Sequence, residues 1–248
     1  MEFDADVFER DGFLFSDSLI DATVCRDINA QLDLQDTRAG QRHLIDHPAV
    51  TQLLANPALV KLISAALGCH AVACRAFAYK ATLFDKSTDA NWLVAWHQDI
   101  SIPVANRHEV PAWKGWSVKD GVNYVQPPSE ILSALVALRV HLDECTVSNG
   151  PLRVLRASHK LGRIPHAQCA KLASSHEEHA VIGSRGSALL MRPLLVHASS
   201  KAIAIERRRA LHFEFAAFEL PGGLCCTLIW KSSYDFCDLT VAELTRPS

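Results

Sequence analysis

The sequence predicts a mainly β protein with flanking helices, an antiparallel sandwich or barrel carrying its helices on the outside. Three observations predict it. Helical spacing of apolar residues is concentrated in the first 68 of the 248 residues. Apolar and polar residues alternate in short runs after about residue 70, with turn residues between the runs. No β-α-β alternation appears anywhere, so a parallel, doubly wound sheet is excluded.

The elements follow in order. Residues 4–12 read as a short helix ending at Gly12, and "FLFSD" as a brief strand. Asp21 is an N-cap, with Val24, Ile28 and Leu32 at helical spacing behind it. "HPAVTQLLANPALVKLISAALG" is two helical pieces, split at Asn56-Pro57 and stopped by Gly68. "HAVACRAFAYKATLFDK", the latter half of "SEILSALVALRVHLDE", "SALLMRP", "RRALHFEFAAF" and "CCTLIW" read as strands. Ser148-Asn149-Gly150, Gly183 and Gly222-Gly223 mark turns between them. Residues 104–129 fit no element. They hold prolines, glycines and two tryptophans, and read as an irregular lid or binding loop.

Composition narrows the class. Twenty-five Lys and Arg against 27 Asp and Glu give a net charge of −2, without a long run of either sign. Neither a nucleic-acid nor a membrane-surface partner is expected. The opening "MEFDADVFERDG" is acidic and lacks an apolar signal core. The eight cysteines contain no Cys-x-x-Cys pair, so a zinc knuckle or redox centre is not expected. A cytoplasmic protein with reduced, mostly buried thiols is expected instead, Cys225-Cys226 included. Nothing in the sequence reports an oligomeric state.

The chemistry gathers at "VAWHQDISIP". A non-haem iron(II) site takes two neutral imidazoles and one carboxylate on one face of the metal. His97 and Asp99 stand two apart at a strand end, so both can point to one ion. The third ligand must come from elsewhere in the fold. His197 closes the apolar run "SALLMRPLLVHASS" at a strand end and is the best candidate. Arg208 follows eleven positions later, able to take a carboxylate through a two-pronged charged bond. Ser199 adds a hydroxyl donor two residues after His197.

Several features carry blander readings. "VHLDE" repeats the His-x-Asp spacing at His141 and Asp143, and reads as a sheet face reaching solvent or a hydrogen bond. "HEEH" at 176–179 has the wrong spacing for a zinc helix and reads as a solvated helix face. Trp92, Trp113 and Trp116 are equally readable as pocket or packing residues. Lys86 and Gln126 flank the same region and are weaker candidates for reaching a ligand.

"WHQD", "LDECTVSNGPLRVLRASHKLG" and "GSALLMRPLLVHASS…RRRALHFEF" resemble the phytanoyl-CoA dioxygenase family, over roughly residues 5–217. The resemblance implies a double-stranded β-helix, the jelly roll of cupin-like proteins, as one domain over 1–248 with N-terminal helices packed on the barrel. It implies Fe(II) as cofactor, 2-oxoglutarate as co-substrate and O2 as oxidant, with His97, Asp99 and His197 as metal ligands. Arg208 would hold the distal carboxylate of 2-oxoglutarate, assisted by Ser199. The implied activity is hydroxylation, desaturation or cyclisation at an unactivated C–H of a small-molecule substrate. Related halogenases carry a small residue where Asp99 stands, so the carboxylate argues against halogenation. Two departures from the family pattern are Arg156-Ala157 in place of Pro-Gly, and Ala202 in place of Asn. Alternatives are a cupin-type metal enzyme without 2-oxoglutarate, and a non-catalytic small-molecule-binding jelly roll.

Overall fold

The structure is a computed structural model, and it describes residues 2–32, 40–68, 76–87, 89–203, 206–221, 224 and 230–231. The chain begins with α1 (Ala5–Asp11), β1 (Phe13–Ser16), α2 (Ala22–Gln31), β2 (Gly40–Gln41), α3 (Pro48–Leu54) and α4 (Pro57–Ala66). Strands then dominate: β3 (Phe77–Lys86), β4 (Val94–His97), β5 (Ile102–Val104), β6 (Lys114–Lys119) and β7 (Val122–Gln126). After α5 (Ser129–Ser133) come β8 (Val136–His141), β9 (Leu152–Leu155), a 3-10 turn (Ser158–Leu161) and α6 (His166–Leu172). The last strands are β10 (Glu178–Val181), β11 (Ala188–Met191), β12 (His197–Ser199), β13 (Arg208–Ala216) and β14 (Trp230–Lys231). Most of "CCTLIW", the Gly222-Gly223 turn, and Cys69, Cys74, Cys225, Cys226 and Cys237 lie outside the described residues. Cys25, Cys145 and Cys169 are buried free thiols, as expected.

The helix ends follow their local chemistry. The Asp21 carboxylate accepts the Thr23 N–H at 2.7 Å and starts α2. The Asn56 side chain does the same for Ala58 at 3.0 Å, with Pro57 in the first turn of α4. Gly12, at φ 82°, ends α1 in the left-handed conformation.

Every described strand pairing is antiparallel. The large sheet runs β1-β11-β8-β13-β3-β14 with β2 added on β3, and a four-stranded sheet runs β10-β9-β12-β4. The two face one another: Phe13, Ala137, Leu189 and Met191 from the first pack with Leu152, Val154 and Val181 from the second. This is the double-stranded β-helix.

Alternation divides each strand of the large sheet between two jobs. Leu138 and Val140 of β8, Leu211 and Phe213 of β13, and Leu83 of β3 point out and bury against α2, α3 and α4. Each such side chain contributes roughly 1.5–3 kcal/mol. The opposite positions point into the barrel and carry Lys80, Thr82, Phe84, Arg139, Arg208 and His212. The apolar half of the pattern therefore builds the core, and the polar half lines the cavity. No single helix is long and apolar enough to cross a membrane.

The 104–129 stretch corrects the sequence reading. Its second half completes a third sheet, β5-β7-β6, whereas residues 105–113 are irregular as the sequence suggests. Asp120 (φ 50°) and Gly121 (φ 78°) form the two-residue turn between β6 and β7. Positive φ at both positions is what a type I′ hairpin needs, and Asp-Gly is its favoured sequence. Val104, Trp113 and Val125 bury against Phe77 and Tyr79, which docks this sheet on the barrel.

"HEEH" is also corrected. His176 and Glu177 lie in an irregular link, and Glu178 and His179 open edge strand β10, paired with Leu155 and Val154. Cross-strand pairing there overrides the local helical preference.

In "VHLDE", His141 and Asp143 are buried and hydrogen-bonded in the interior, though His141 Nε2 has no partner among the described residues. Asp143 accepts from Arg209 Nε at 2.8 Å and from Asn29 Nδ2 at 2.9 Å, tying α2 to β13. His141 is fully buried, its Nδ1 2.9 Å from Ser187 Oγ. Burial, then Arg139 and Arg208, lower its pKa to about 3. An unfolded imidazole titrates near 6.5. His141 thus contributes stability that is complete above that value and is lost as pH falls from there toward 3. The expected slope in this window is about 1.4 kcal/mol per pH unit at most. Denaturant midpoints of wild type and His141→Gln between pH 4 and 7 measure it, with a flatter dependence expected for the variant.

Ala157 sits at φ 63°, a left-handed conformation that costs an L-residue roughly 1–2 kcal/mol. Its N–H bonds the Asp11 carbonyl at 2.9 Å, which holds the turn in place. Glycine at this position relieves the strain. Ala157→Gly is expected to raise stability by about 1 kcal/mol, after allowing for the extra freedom of unfolded glycine. An unchanged or lower denaturation midpoint would refute the assignment of strain.

Candidate metal and co-substrate site

β4 and β12 pair antiparallel with His97 directly opposite His197, their ring centroids 4.2 Å apart. Asp99 lies just beyond the end of β4, where its N–H bonds the Pro193 carbonyl at 3.0 Å. The intervening Gln98 points the other way. Its amide donates to the carbonyls of Leu194 (2.7 Å) and Gly162 (2.8 Å) and accepts the Ile164 N–H (2.8 Å). Three bonds from one side chain thus fix the strand end that presents His97 and Asp99.

One ligand atom each from His97, Asp99 and His197 lie within 4.8 Å of one another. His97 Nδ1 is 2.8 Å from the Ala95 carbonyl, and His197 Nδ1 is 2.9 Å from that of Leu195. A carbonyl can only accept, so both Nδ1 atoms carry a proton and the Nε2 atoms are the ones left to meet a metal. Burial, then the neighbouring His97, lower the His197 pKa to about 3, which keeps it neutral. Burial opposes charge on Asp99, but His197, His212 and Lys80 outweigh it and hold the carboxyl well below its usual range. Two neutral imidazoles and one carboxylate are the donor set of a non-haem iron(II) centre. The residues fit the metal.

A second set, Asp99, His212 and Glu214, shares Asp99 with the first. Glu214 is already engaged, by the Lys80 ammonium and by Tyr79 Oη at 2.9 Å. Burial disfavours the Lys80 charge, yet Glu214 more than restores it, and the pKa is raised. That cation answers the negative charge of the second set, so the first set suits an ion better.

His212 escapes a sequence reading confined to motifs. Its Nε2 stands 3.5 Å from Asp99 Oδ2, and neither ring nitrogen has a closer hydrogen-bond partner among the described residues. It lies four residues after Arg208 on one strand and shares its face. That spacing is the signal that marks it. Partners behind a metal ligand typically contribute 10–100-fold to affinity. His212→Ala is expected to weaken divalent-metal binding about 10-fold, read by calorimetric titration, with His212→Asn less affected.

A cavity of about 80 Å³ runs inward from this set. It is lined by His97, Asp99, His197 and His212 at one end and by Ser199 and Arg208 toward the other, with Trp92, Val94 and Leu152 as apolar walls. Arg208 is 1% exposed. Its Nε donates to the Asn149 carbonyl at 3.1 Å, and its Nη1 has no partner among the described residues. Asn149 is held in turn by its own bonds to Thr146 N–H and the Glu144 carbonyl. Gly150 completes this turn at φ 72°, where a Cβ would fall 2.6 Å from the Ser200 carbonyl.

Lys86 reaches the cavity indirectly. Its Nζ donates to Ser199 Oγ at 2.7 Å and to the Ser200 carbonyl. Burial, then Arg208 and Arg139, lower its pKa to about 7. Gln126 is not brought in: it bonds Arg163 instead. Of the three candidate tryptophans, Trp92 lines the cavity, whereas Trp113 and Trp116 pack in the β5-β7-β6 region. A second chamber of about 510 Å³ opens outward from His97 and Asp99, past Thr82, Ile100 and Ser101 to Arg42 and Lys119 at its rim.

A double-stranded β-helix that brings two histidines and a carboxylate together beside a buried, anion-ready arginine defines a mononuclear non-haem oxygenase scaffold. The sequence places it more closely. The family model for phytanoyl-CoA dioxygenase (PhyH) matches residues 8–210, and the chain belongs to that family. It is an iron(II)- and 2-oxoglutarate-dependent oxygenase that uses O2, of a family acting on small molecules. Among solved structures it is similar to EctD from S. alaskensis with 2-oxoglutarate and 5-hydroxyectoine (18% identity, 86% of this chain and 74% of that one, TM-score 0.65). It is also similar to the non-haem monooxygenase ThoJ (16% identity, 95% and 86%, TM-score 0.65). A third is the carbocyclase SnoK from nogalamycin biosynthesis (13% identity, 86% and 83%, TM-score 0.63). At these identities the likeness is one of fold. No curated protein sequence matches the chain.

Proposed function

We propose that residues 1–248 form one oxygenase domain that hydroxylates an unactivated C–H bond of a small organic molecule, with 2-oxoglutarate converted to succinate and carbon dioxide. The observation that carries this reading is the shared cavity. His97, Asp99 and His197 stand at one end, and the buried Arg208, whose Nη1 has no partner among the described residues, stands toward the other. A dicarboxylate with a keto-acid head answers both ends at once.

In this reading His97, Asp99 and His197 hold iron(II). The metal supplies the activation of O2 that couples decarboxylation of the keto acid to oxidation of the substrate. Arg208 anchors the distal carboxylate of 2-oxoglutarate through charge-assisted bonds. Lys86 donates to Ser199 Oγ, which leaves the serine hydroxyl hydrogen to donate to the same carboxylate. Trp92, Val94 and Leu152 keep water from this end. The outer chamber, about 510 Å³, has the size of a small-molecule pocket and places its occupant beside His97 and Asp99. The Asp99 carboxylate fills the position that a halide needs, which favours hydroxylation.

The test uses the iron(II)-loaded protein. Under argon, 2-oxoglutarate should produce the weak visible band of a chelated keto acid. In air, succinate release should depend on O2 and be stimulated by the right member of a substrate panel. Absence of the band would favour a cupin-type enzyme without 2-oxoglutarate. A band without any O2-dependent succinate would favour a non-catalytic binding protein. Either result sinks the proposal.

A further inference from the structure

Arg139 lies on β8, directly opposite His212 of β13. Arg208 stands four residues before His212 on the same strand, opposite Lys86. Between them Ala210 faces Phe84 on one side and His141 on the other. The Arg139 guanidinium lies 4.9 Å over the Phe84 ring. It therefore reaches across the small Ala210 side chain, between the Asp99 end of the cavity and Arg208.

Arg139 is 5% exposed and lines the same cavity as Arg208 and Ser199. Its Nε has no hydrogen-bond partner, and the guanidinium makes no ion pair with any described residue. Burial, and then Arg208, push its pKa down to about 9. The contrast with the rest of the interior is informative. Lys80 is answered by Glu214, and on the outside Arg207 and Arg209 are answered by Asp85 and Asp143. Arg139 and Arg208 are two buried guanidinium groups without a carboxylate partner among the described residues. Burying such charge unpaired is costly unless an anion arrives. One carboxylate would satisfy Arg208 alone. Two guanidinium groups along one cavity suit a dianion that lies lengthwise in it.

We infer that Arg139 is a second guanidinium for 2-oxoglutarate, lying along the bound co-substrate between the metal end and Arg208. This rests on the 2-oxoglutarate reading above. Arg139 adds charge neutralisation and donor hydrogens from the β8 side, opposite Ser199. It makes the cavity selective for a dianionic keto acid over a monoanionic one such as 2-oxobutyrate.

The experiment measures 2-oxoglutarate and 2-oxobutyrate affinity by the anaerobic iron(II) band, alongside metal affinity by calorimetry and the melting temperature. Arg139→Gln should weaken 2-oxoglutarate about 10- to 100-fold, with metal affinity within a few-fold of wild type. The preference for 2-oxoglutarate over 2-oxobutyrate should shrink in the same variant. Arg139→Lys, which keeps the charge and most of the volume, should fall between the two and covers the case of a misfolded glutamine variant. Unchanged 2-oxoglutarate affinity in both variants overturns the inference while leaving the proposed function standing. Parallel loss of metal affinity and melting temperature, with the preference between the two keto acids unmoved, makes Arg139 structural and also overturns it. Failure of the wild-type protein to bind 2-oxoglutarate overturns the proposed function itself, and this inference with it.

Discussion

Replacing Asp99 with Ala is expected to abolish O2-dependent succinate release and to weaken iron(II) binding by at least about 100-fold. Removing a partner that only orients a ligand already costs 10–100-fold, so removing a ligand costs more. The geometry explains why the loss should be severe. Asp99 is the sole carboxylate in the set, and its Oδ2 lies 3.6 Å from His197 Nε2 and 3.5 Å from His212 Nε2. Without it the imidazoles retain their positions, because His97 and His197 are held by backbone carbonyls and by direct cross-strand pairing. The variant should fold, with a melting temperature close to that of the metal-free wild type. Metal titration and succinate assays are then read on an intact barrel. Turnover at an unchanged succinate yield would show that the metal is held elsewhere, and the Asp99-His212-Glu214 set would be the place to look.

Arg208→Gln is expected to weaken 2-oxoglutarate binding about 100-fold while metal affinity stays near that of wild type. A bond between two charged partners contributes roughly 1.5–3 kcal/mol, and a two-pronged pair contributes more. Arg208 stands away from the metal set, and its own tether is a bond to the Asn149 carbonyl, so its loss should leave His97, Asp99 and His197 in place. Arg208→Lys restores the charge without the fork and should recover only part of the affinity. The reading is the anaerobic band titrated with 2-oxoglutarate. A wild-type titration curve from Arg208→Gln would remove Arg208 from the co-substrate site. Together with the Asp99 variant this separates the two ends of one cavity: one substitution removes the metal, the other only the diacid.

Much of this is legible in the sequence. The helices at the start obey capping rules that act within a few residues: Asp21, Asn56 and Gly12 each satisfy or terminate the backbone locally. The strands of the large sheet declare themselves through alternation, because one face must be apolar to bury against the helices. The β6-β7 hairpin was equally local, written in Asp120-Gly121, and was obscured by the prolines and tryptophans around it. "HEEH" departs from its local pattern for the opposite reason. Its helical look is a local preference, and pairing with β9, distant in sequence, decided it.

The site divides along the same line. His-x-Asp occurs twice, at His97 and at His141, and spacing cannot separate them, since both pairs sit at strand ends. The environment separates them. Asp143 is consumed by Arg209 and Asn29, which leaves His141 without a carboxylate to share a metal with, whereas His97 and Asp99 meet His197 with one ligand atom each within 4.8 Å.

By itself, then, the amino-acid sequence determined which residue types were available and which strand faces would be polar. With the resemblance carried by "WHQD" and the segments around His197 and Arg208, that is enough to single out His97, Asp99, His197, Ser199 and Arg208 as candidates, because motifs and two-residue alternation are properties of neighbours along the chain. Only the tertiary structure shows where His212, Gln98 and Arg139 stand relative to the site. Each acts through a partner from a different strand or loop, and cross-strand register, unlike alternation, is set by how distant segments pair. Whether a buried charge is answered inside the protein, as Lys80 is by Glu214, or has no carboxylate among the described residues, as with Arg208, depends on that register.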